Sequence, residues 1–448
     1  MRRLYVTVAF AMTLPRPQKI IRKMYMKNEL PSSTLAQAPI RPPHYPIWAV
    51  LLAAAGAFAF TMGARNTMGL YLSSLNAATG LGITDISLAF AFGQLWWGMT
   101  QPFAGAIADR IGAGRVIVIG VILIAIGTTV TPFMHSTLGL IISLGVLAAG
   151  GAGMAGPSVL MAASARLVPT HKRGLATGIV NAGGSLGQLA MAPIAIGLTT
   201  SLGWAQSMQW LGVLVLLALP AAWVLKGNAN AIATTSAIAS DSAMPTARHA
   251  LAHALTTPSY CFLAAGFLVC GFHVAFLATH LPGMVESCGM PPAIAGWSLA
   301  LIGLFNIIGS LTMGWAVGRW RMKSLLSLLY ATRGLAVLAF LLVPKTPIIM
   351  LLFSAVMGVT FLSTVPPTAG LVAKMFGPAN MAMLFGVLML AHQIGGFLGA
   401  YLGGLAFQAT GNYDWVWYID IALATGAALI HFPIREVSPA THSATESA

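Results

Sequence analysis

The chain has 448 residues, of which 57% are hydrophobic and only 7% charged, with a formal net charge of +14 and a mean hydropathy of +0.83. A soluble domain carries about a quarter charged residues, so composition excludes one. The apolar runs continue for about 20 residues without alternation, which excludes a β-barrel in favour of membrane-spanning helices. The basic balance does not mark a nucleic-acid surface, because Lys and Arg fall in short loops between apolar runs.

Residues 1–46 are basic and Pro-rich and are expected to form a cytoplasmic tail. Leu4–Leu14, after Arg2-Arg3, has the look of a signal peptide's start. It lacks a small-residue cleavage site and ends in Leu14-Pro15-Arg16-Pro17. Met24 and Met26 are alternative translation starts.

Twelve apolar segments follow, near 47–75, 85–108, 114–134, 137–167, 174–201, 204–225, 258–285, 292–317, 324–343, 346–374, 379–409 and 414–434. Each is long enough for a hydrocarbon core of about 30 Å. A polar linker, 226–257, divides them into six-helix bundles at 47–225 and 258–434, with a short tail at 435–448. The loops on one side hold eleven Lys or Arg, and those on the other hold Lys345 alone, which puts both termini and the linker in the cytoplasm. Cys261, Cys270 and Cys288 sit in or beside one span, an odd set with no disulfide framework and no metal-ligand spacing.

The two halves repeat. An offset of 208–209 superposes Gly105 on Gly314, Arg110 on Arg319, Pro157 on Pro366, Gly178 on Gly386, Gly187 on Gly395 and Gly63 on Gly271. A parallel repeat of six spans is one of the transporter architectures. The loop Gly105-xxx-Asp109-Arg110-x-Gly112-xx-Arg115 resembles the signature between the second and third helices of the major facilitator superfamily. Its second copy, Gly314–Lys323, has Gly318 in place of the Asp. The resemblance covers residues 47–434 and implies an all-α integral membrane protein of twelve transmembrane helices in two pseudo-symmetric bundles.

Within that superfamily the chain resembles bacterial proteins of the monocarboxylate-transporter-like branch. The resemblance rests on Arg65–Tyr71, Trp96–Pro102, Gly183–Gln188 and Cys270–Pro282. It implies a secondary transporter of the cytoplasmic (inner) membrane, working by alternating access, and helices one and seven would line its cavity.

An ionisable group inside a span is a functional candidate by default. Arg65 stands about 26 Å along its helix from Trp48, placed either to snorkel to the outer headgroups or to bind a carboxylate bidentately. At offset 208 it falls on His273, a titratable group suited to proton coupling or else a satisfied buried imidazole. His280 lies on the same face, close to the outer mouth. Asn306, His392 and Gln393 are further candidates for the pocket. Asn181, Ser185 and Gln188 share one face of the fifth helix, as ligand donors or as interhelical glue beside Gly184 and Gly187.

Arg333 and Asp420 read as a structural ion pair or as separately neutralised groups. The Gly183-Gly-Ser185-Leu-Gly187 match to a nucleophile pattern is dismissed, because a span offers no strand-turn-helix context. No phosphate-binding loop is present, so no nucleotide cofactor is expected and gradients would drive transport. By the same resemblance, Gly105, Asp109, Arg110 and Arg115 form a latch. Asp109 would meet the start of the eleventh helix, near 378–380, when the cytoplasmic side closes.

The expected function is therefore proton-coupled transport of a small organic anion, with no cofactor, no metal, no nucleic acid and no obligate protein partner. Arg65 would hold the carboxylate, with Asn181, Gln188, His273, Asn306, His392 and Gln393 around it. The alternatives are an exporter of hydrophobic or cationic compounds, which wants a cavity-facing carboxylate, and a receptor that binds without moving its ligand.

Overall fold

The computed structural model describes residues 45–169, 172–226 and 244–436. Nearly all of both expected tails and most of the 226–257 linker lie outside the described residues. Regular structure among the described residues is helical throughout. Twelve helices run back and forth. The first six are α1 (Ile47–Thr79), α2 (Ile83–Ile111), α3 (Ala113–Phe133), α4 (Thr137–Leu167), α5 (Arg173–Leu202) and α6 (Trp204–Val224). The second six are α7 (Pro258–Ser287), α8 (Pro292–Ala316), α9 (Met322–Leu342), α10 (Pro347–Phe376), α11 (Pro378–Thr410) and α12 (Asp414–Ile430).

Ten of these are long and apolar enough to cross a membrane. Of the other two, α2 is more polar than the rest and α12 has 17 residues. The end of the expected linker is itself helical, Met244–Thr256, and lies against α7 and α11.

Four spans are interrupted, α6 by a 3₁₀ turn at Leu216–Ala218 before Pro220. α1 tightens into a 3₁₀ turn at Met68–Tyr71, just after Arg65 and Asn66. α4 contains a π segment, Ile141–Ala148, and breaks at Ala155-Gly156 before Pro157. α10 breaks over 361–364 before Pro366-Pro367, because proline removes a donor and crowds the preceding turn. Val365 N then donates to Leu362 O (3.0 Å), and the carbonyls of Thr360 and Phe361 are left free for a side chain.

The sequence repeat becomes a packing repeat. α1 meets α5, and α7 meets α11, through glycines that let the backbones touch. A Cβ on Gly63 would sit 2.6 Å from Gly187 O, and one on Gly187 would collide with Ala59 O. In the second half, Gly271 lies on His392 O and Gly395 on Leu268 O in the same way. The halves meet through α2 with α11 and through α5 with α8.

The hydrophobic core shows which end of that seam is closed. At the end opposite the basic loops, one cluster takes residues from both halves, including Tyr71, Leu72 and Ile86 with Phe276, Leu281 and Met284. At the basic end the core divides, with one cluster confined to the first half and another to the second. Gly105, Gly178, Gly314 and Gly386, on the four seam helices near the basic end, each have nothing within 4 Å of where a Cβ would stand. The cleft between the halves therefore opens at the basic end.

Candidate functional site

Arg65 is half-buried near the end of the regular part of α1. Its guanidinium turns inward onto α2, donating to Gln94 Oε1 and, at 3.4 Å, to Asn66 Oδ1, and it lies 4.5 Å from the centre of the Trp97 ring. A cavity of about 50 Å³ adjoins it, lined by Arg65, Asn66, Phe90, Gln94, Thr128 and Thr279 among others, with room for a few waters. Every partner given to Arg65 is neutral. The ion pairs among the described residues are Asp109–Arg166, His273–Asp420 and Lys374–Glu436. A guanidinium over an aromatic face, with amide oxygens and no carboxylate, is a cation whose charge is only partly answered.

Amides extend this cluster to the other half. Asn66 Nδ2 donates to Gln188 Oε1 at 3.1 Å, and Gln188 Nε2 donates to Leu299 O of α8 at 3.1 Å. Asn306 Nδ2 donates to Ser185 Oγ at 2.8 Å, while Asn306 Oδ1 accepts from Leu362 N at 3.0 Å, in the break of α10. Arg65 and Gln188 are thus brought together through Asn66, and Asn306 joins α5 to α8 and α10. Gln94 and Asn66 were not singled out from the sequence, although isolated amides in apolar helices carry the same signal that marked Asn306.

Other candidates lie elsewhere. Asn181 is exposed on α5, one turn closer to the basic end than Ser185 and Gln188, which α8 covers. His273, expected to match Arg65 across the cavity, instead points into the second bundle, 1% exposed, with Nε2 3.0 Å from Asp420 Oδ1. The repeat offset equates their heights along α1 and α7, but not the neighbours their side chains reach. Of the two readings of Arg333 and Asp420, an ion pair or separate neutralisation, the second is the one seen. Arg333 gives its hydrogens to Thr360 O, to Phe361 O (2.6 Å) and to Thr360 Oγ1 (3.3 Å), so the two charges are neutralised separately.

His392 packs its ring on Phe267, with centroids 4.9 Å apart, and Gln393 is buried against Gly98 of α2. These two belong to the bundle core and the seam rather than to the Arg65 cavity. His280 is a core histidine, with Nε2 2.7 Å from Ala400 O. No group of three or more His, Cys, Asp or Glu gathers for a metal among the described residues.

In the α2–α3 loop, Gly112 has φ 96°, which suits glycine at a hinge one residue long. Asp109 pairs with Arg166 of α4, within its own half, and Arg115 Nη1 donates to Ile111 O at 3.4 Å. Arg110 is exposed and Gly105 faces open space, as befits an open cleft.

The sequence profile of the Major Facilitator Superfamily matches residues 53–291 and 261–448. The chain is 24% identical over 413 residues to the uncharacterized MFS-type transporter YcxA of Bacillus subtilis (strain 168), covering 88% of this chain and 97% of that protein. It is 23% identical over 396 residues to monocarboxylate transporter 13 of Rattus norvegicus, covering 86% and 89%. Its fold matches the inward open conformation of the xylose transporter XylE from E. coli with a TM-score of 0.65 at 14% identity, covering 87% of this chain and 96% of that one. With its twelve helices, duplicated bundles and loop signature, the chain belongs to the Major Facilitator Superfamily and is a multi-pass membrane transporter, not an enzyme.

Proposed function

We propose that this transporter moves a small organic anion, of the monocarboxylate kind, by alternating access coupled to protons. The observation that carries this reading is Arg65, a cation held among neutral partners beside a cavity. A buried charge without a counter-ion is costly, and a carboxylate offering two oxygens would answer it bidentately. Asn66, Gln94 and Gln188 then orient the ligand from one side of the seam, and Asn306 answers from the other. The names of several relatives, monocarboxylate transporters 11, 12 and 13, agree with this substrate class.

The membrane is the bacterial inner membrane, with the basic end cytoplasmic, so the open cleft faces the cytoplasm. The bundles run 47–225 and 258–434. The 1–46 tail, the 226–257 linker and the 435–448 tail are cytoplasmic. An exporter of cationic compounds would need a carboxylate facing the cleft, and the buried Asp420 is turned to His273 instead.

Uptake of a panel of organic acids into proteoliposomes tests the reading. Arg65→Gln removes hydrogen bonds from a charged group, about 1.5–3 kcal/mol, or about 10- to 100-fold in apparent affinity. Normal uptake by Arg65→Gln would overturn the assignment.

A further inference from the structure

The second bundle encloses a titratable cluster that anion binding does not use. His273 of α7 and Asp420 of α12 are each 1% exposed and 3.0 Å apart. Arg333 of α9 is buried in the same interior, yet its hydrogens go to the freed carbonyls of α10. The permanent cation is thus held by backbone, and the carboxylate is left facing an imidazole. A fixed structural pair would join Asp420 to the group that never loses its proton. Here it faces an imidazole, whose ring can carry one proton or two.

The other titratable groups around the cluster are Tyr330 of α9, 5.5 Å from the Arg333 guanidinium, Cys270 of α7 and His392 of α11. α10 supplies the hydroxyls of Thr360 and Thr364.

A line of contacts joins this cluster to the seam between the halves. Ser185 of α5 accepts from Asn306 of α8, and Asn306 accepts from Leu362 N in the break of α10. The carbonyls immediately before Leu362, those of Thr360 and Phe361, hold Arg333. Movement of α5 against α8 pulls on the segment that cages the guanidinium.

We propose that His273 and Asp420 form the transporter's proton-binding site, tied to the rocking of the halves through Arg333, the break in α10 and Asn306. This rests on the proton-coupled reading above. The arriving proton leaves a hydronium ion, which becomes water, and forms one bond to an imidazole nitrogen or a carboxylate oxygen; no bond of the protein breaks. Counting Arg333, the cluster passes from net zero to a charge of +1, which favours an anion in the cleft while the site is loaded.

Infrared difference spectra of the purified full-length protein, titrated with pH and without any organic anion, test the site. The expected result is a protonated-carboxyl stretch that appears as pH falls and is missing in Asp420→Asn. His273→Gln, which keeps the carboxyl and removes the imidazole, shifts the midpoint of that band. Asn306→Ala, which cuts the line to the seam, shifts it as well. A band that persists in Asp420→Asn overturns the proposal, as does a midpoint unmoved by His273→Gln, while a midpoint indifferent to Asn306→Ala overturns the tie to the seam. Should Asp420→Asn fail to fold, the His273→Gln titration decides alone. Because no substrate enters this measurement, its failure is separate from failure of the Arg65 uptake test.

Discussion

The two halves share their packing and differ in what they bury. Both join their first and fifth helices through glycines set against main chain, Gly63 and Gly187 in one and Gly271 and Gly395 in the other. Both break their fourth helix before a proline, Pro157 or Pro366. At the first break the freed carbonyl of Ala155 accepts from the hydroxyl of Thr61, at 3.3 Å. At the second, the freed carbonyls take the guanidinium of Arg333. At the repeat offset Arg333 falls on Ile124 or Ala125, and Asp420 on Leu211 or Gly212. There the first half has no charge at all, and Gly212 lies directly against the Ala125 carbonyl. Duplication kept the steric frame, and the two bundles then filled it with different chemistry: a cation among neutral partners beside a small cavity in one, an enclosed titratable cluster in the other.

The shared frame is the first thing to break, and it should break equally in both halves. Gly63→Val and Gly271→Val each drive a branched side chain into backbone, where no rotamer gives relief. Overpacking typically costs about 1–3 kcal/mol, and contact with main chain lies at the upper end or beyond. Both variants are expected to lose monodisperse, thermally stable protein on extraction. The matching test at the open end is Gly178→Leu and Gly386→Leu, where a side chain meets empty space. There thermal stability is expected to hold while transport stops, because the faces can no longer come together. A drop in stability at Gly178 or Gly386 would mean that these faces are already packed.

How much of this was legible in the sequence follows from the same contrast. Spans, basic loops and the glycine offset are one-dimensional signals, and they placed the helices to within a few residues. Helix azimuth is not such a signal here, since a helix buried in a bundle is apolar on most sides and no stripe shows which neighbour a polar residue meets. The offset therefore gave His273 the height of Arg65 and the wrong direction. The span 346–374 reads as unbroken despite Pro366-Pro367, and only the fold brings Arg333 to the carbonyls freed at the break. Asn181, Ser185 and Gln188 were rightly read as close in angle, yet α8 covers only the last two.

The charges that fill the frame give the next contrast. Arg333→Met leaves the carbonyls of α10 unsatisfied and removes a buried cation from the neighbourhood of Asp420. Loss of one partner in a buried charged set costs about 3–5 kcal/mol. Thr61→Val removes one hydroxyl bond at the equivalent break, about 1 kcal/mol. Thermal unfolding in detergent should show the larger shift for Arg333→Met. Equal shifts would mean that the guanidinium adds nothing that a hydroxyl does not.

The smallest structural effects are expected at the basic end, where the halves again solve one problem differently. Asp109 pairs with Arg166, and offset 208 carries Arg166 onto Lys374. The second loop has Gly318 where the first has Asp109, so Lys374 finds its carboxylate elsewhere: Glu436, beyond α12, lies 3.1 Å from it and also accepts from Lys323 N at 2.8 Å. Solvent-exposed pairs of this kind contribute about 0–1 kcal/mol, so neither Asp109→Asn nor Glu436→Gln should move the unfolding temperature much. Transport separates them. Asp109 stands on α2, a helix of the seam, and we propose that it exchanges Arg166 for the start of α11 when the basic end closes. Glu436 ties α9 and α10 within one bundle and has no partner to exchange. Asp109→Asn should therefore slow uptake strongly and Glu436→Gln slightly, each compared at equal amounts of folded protein. Equal slowing would mean that Glu436 has taken over the latching role of the missing Asp, and that the basic end works as a symmetric device built from unlike parts.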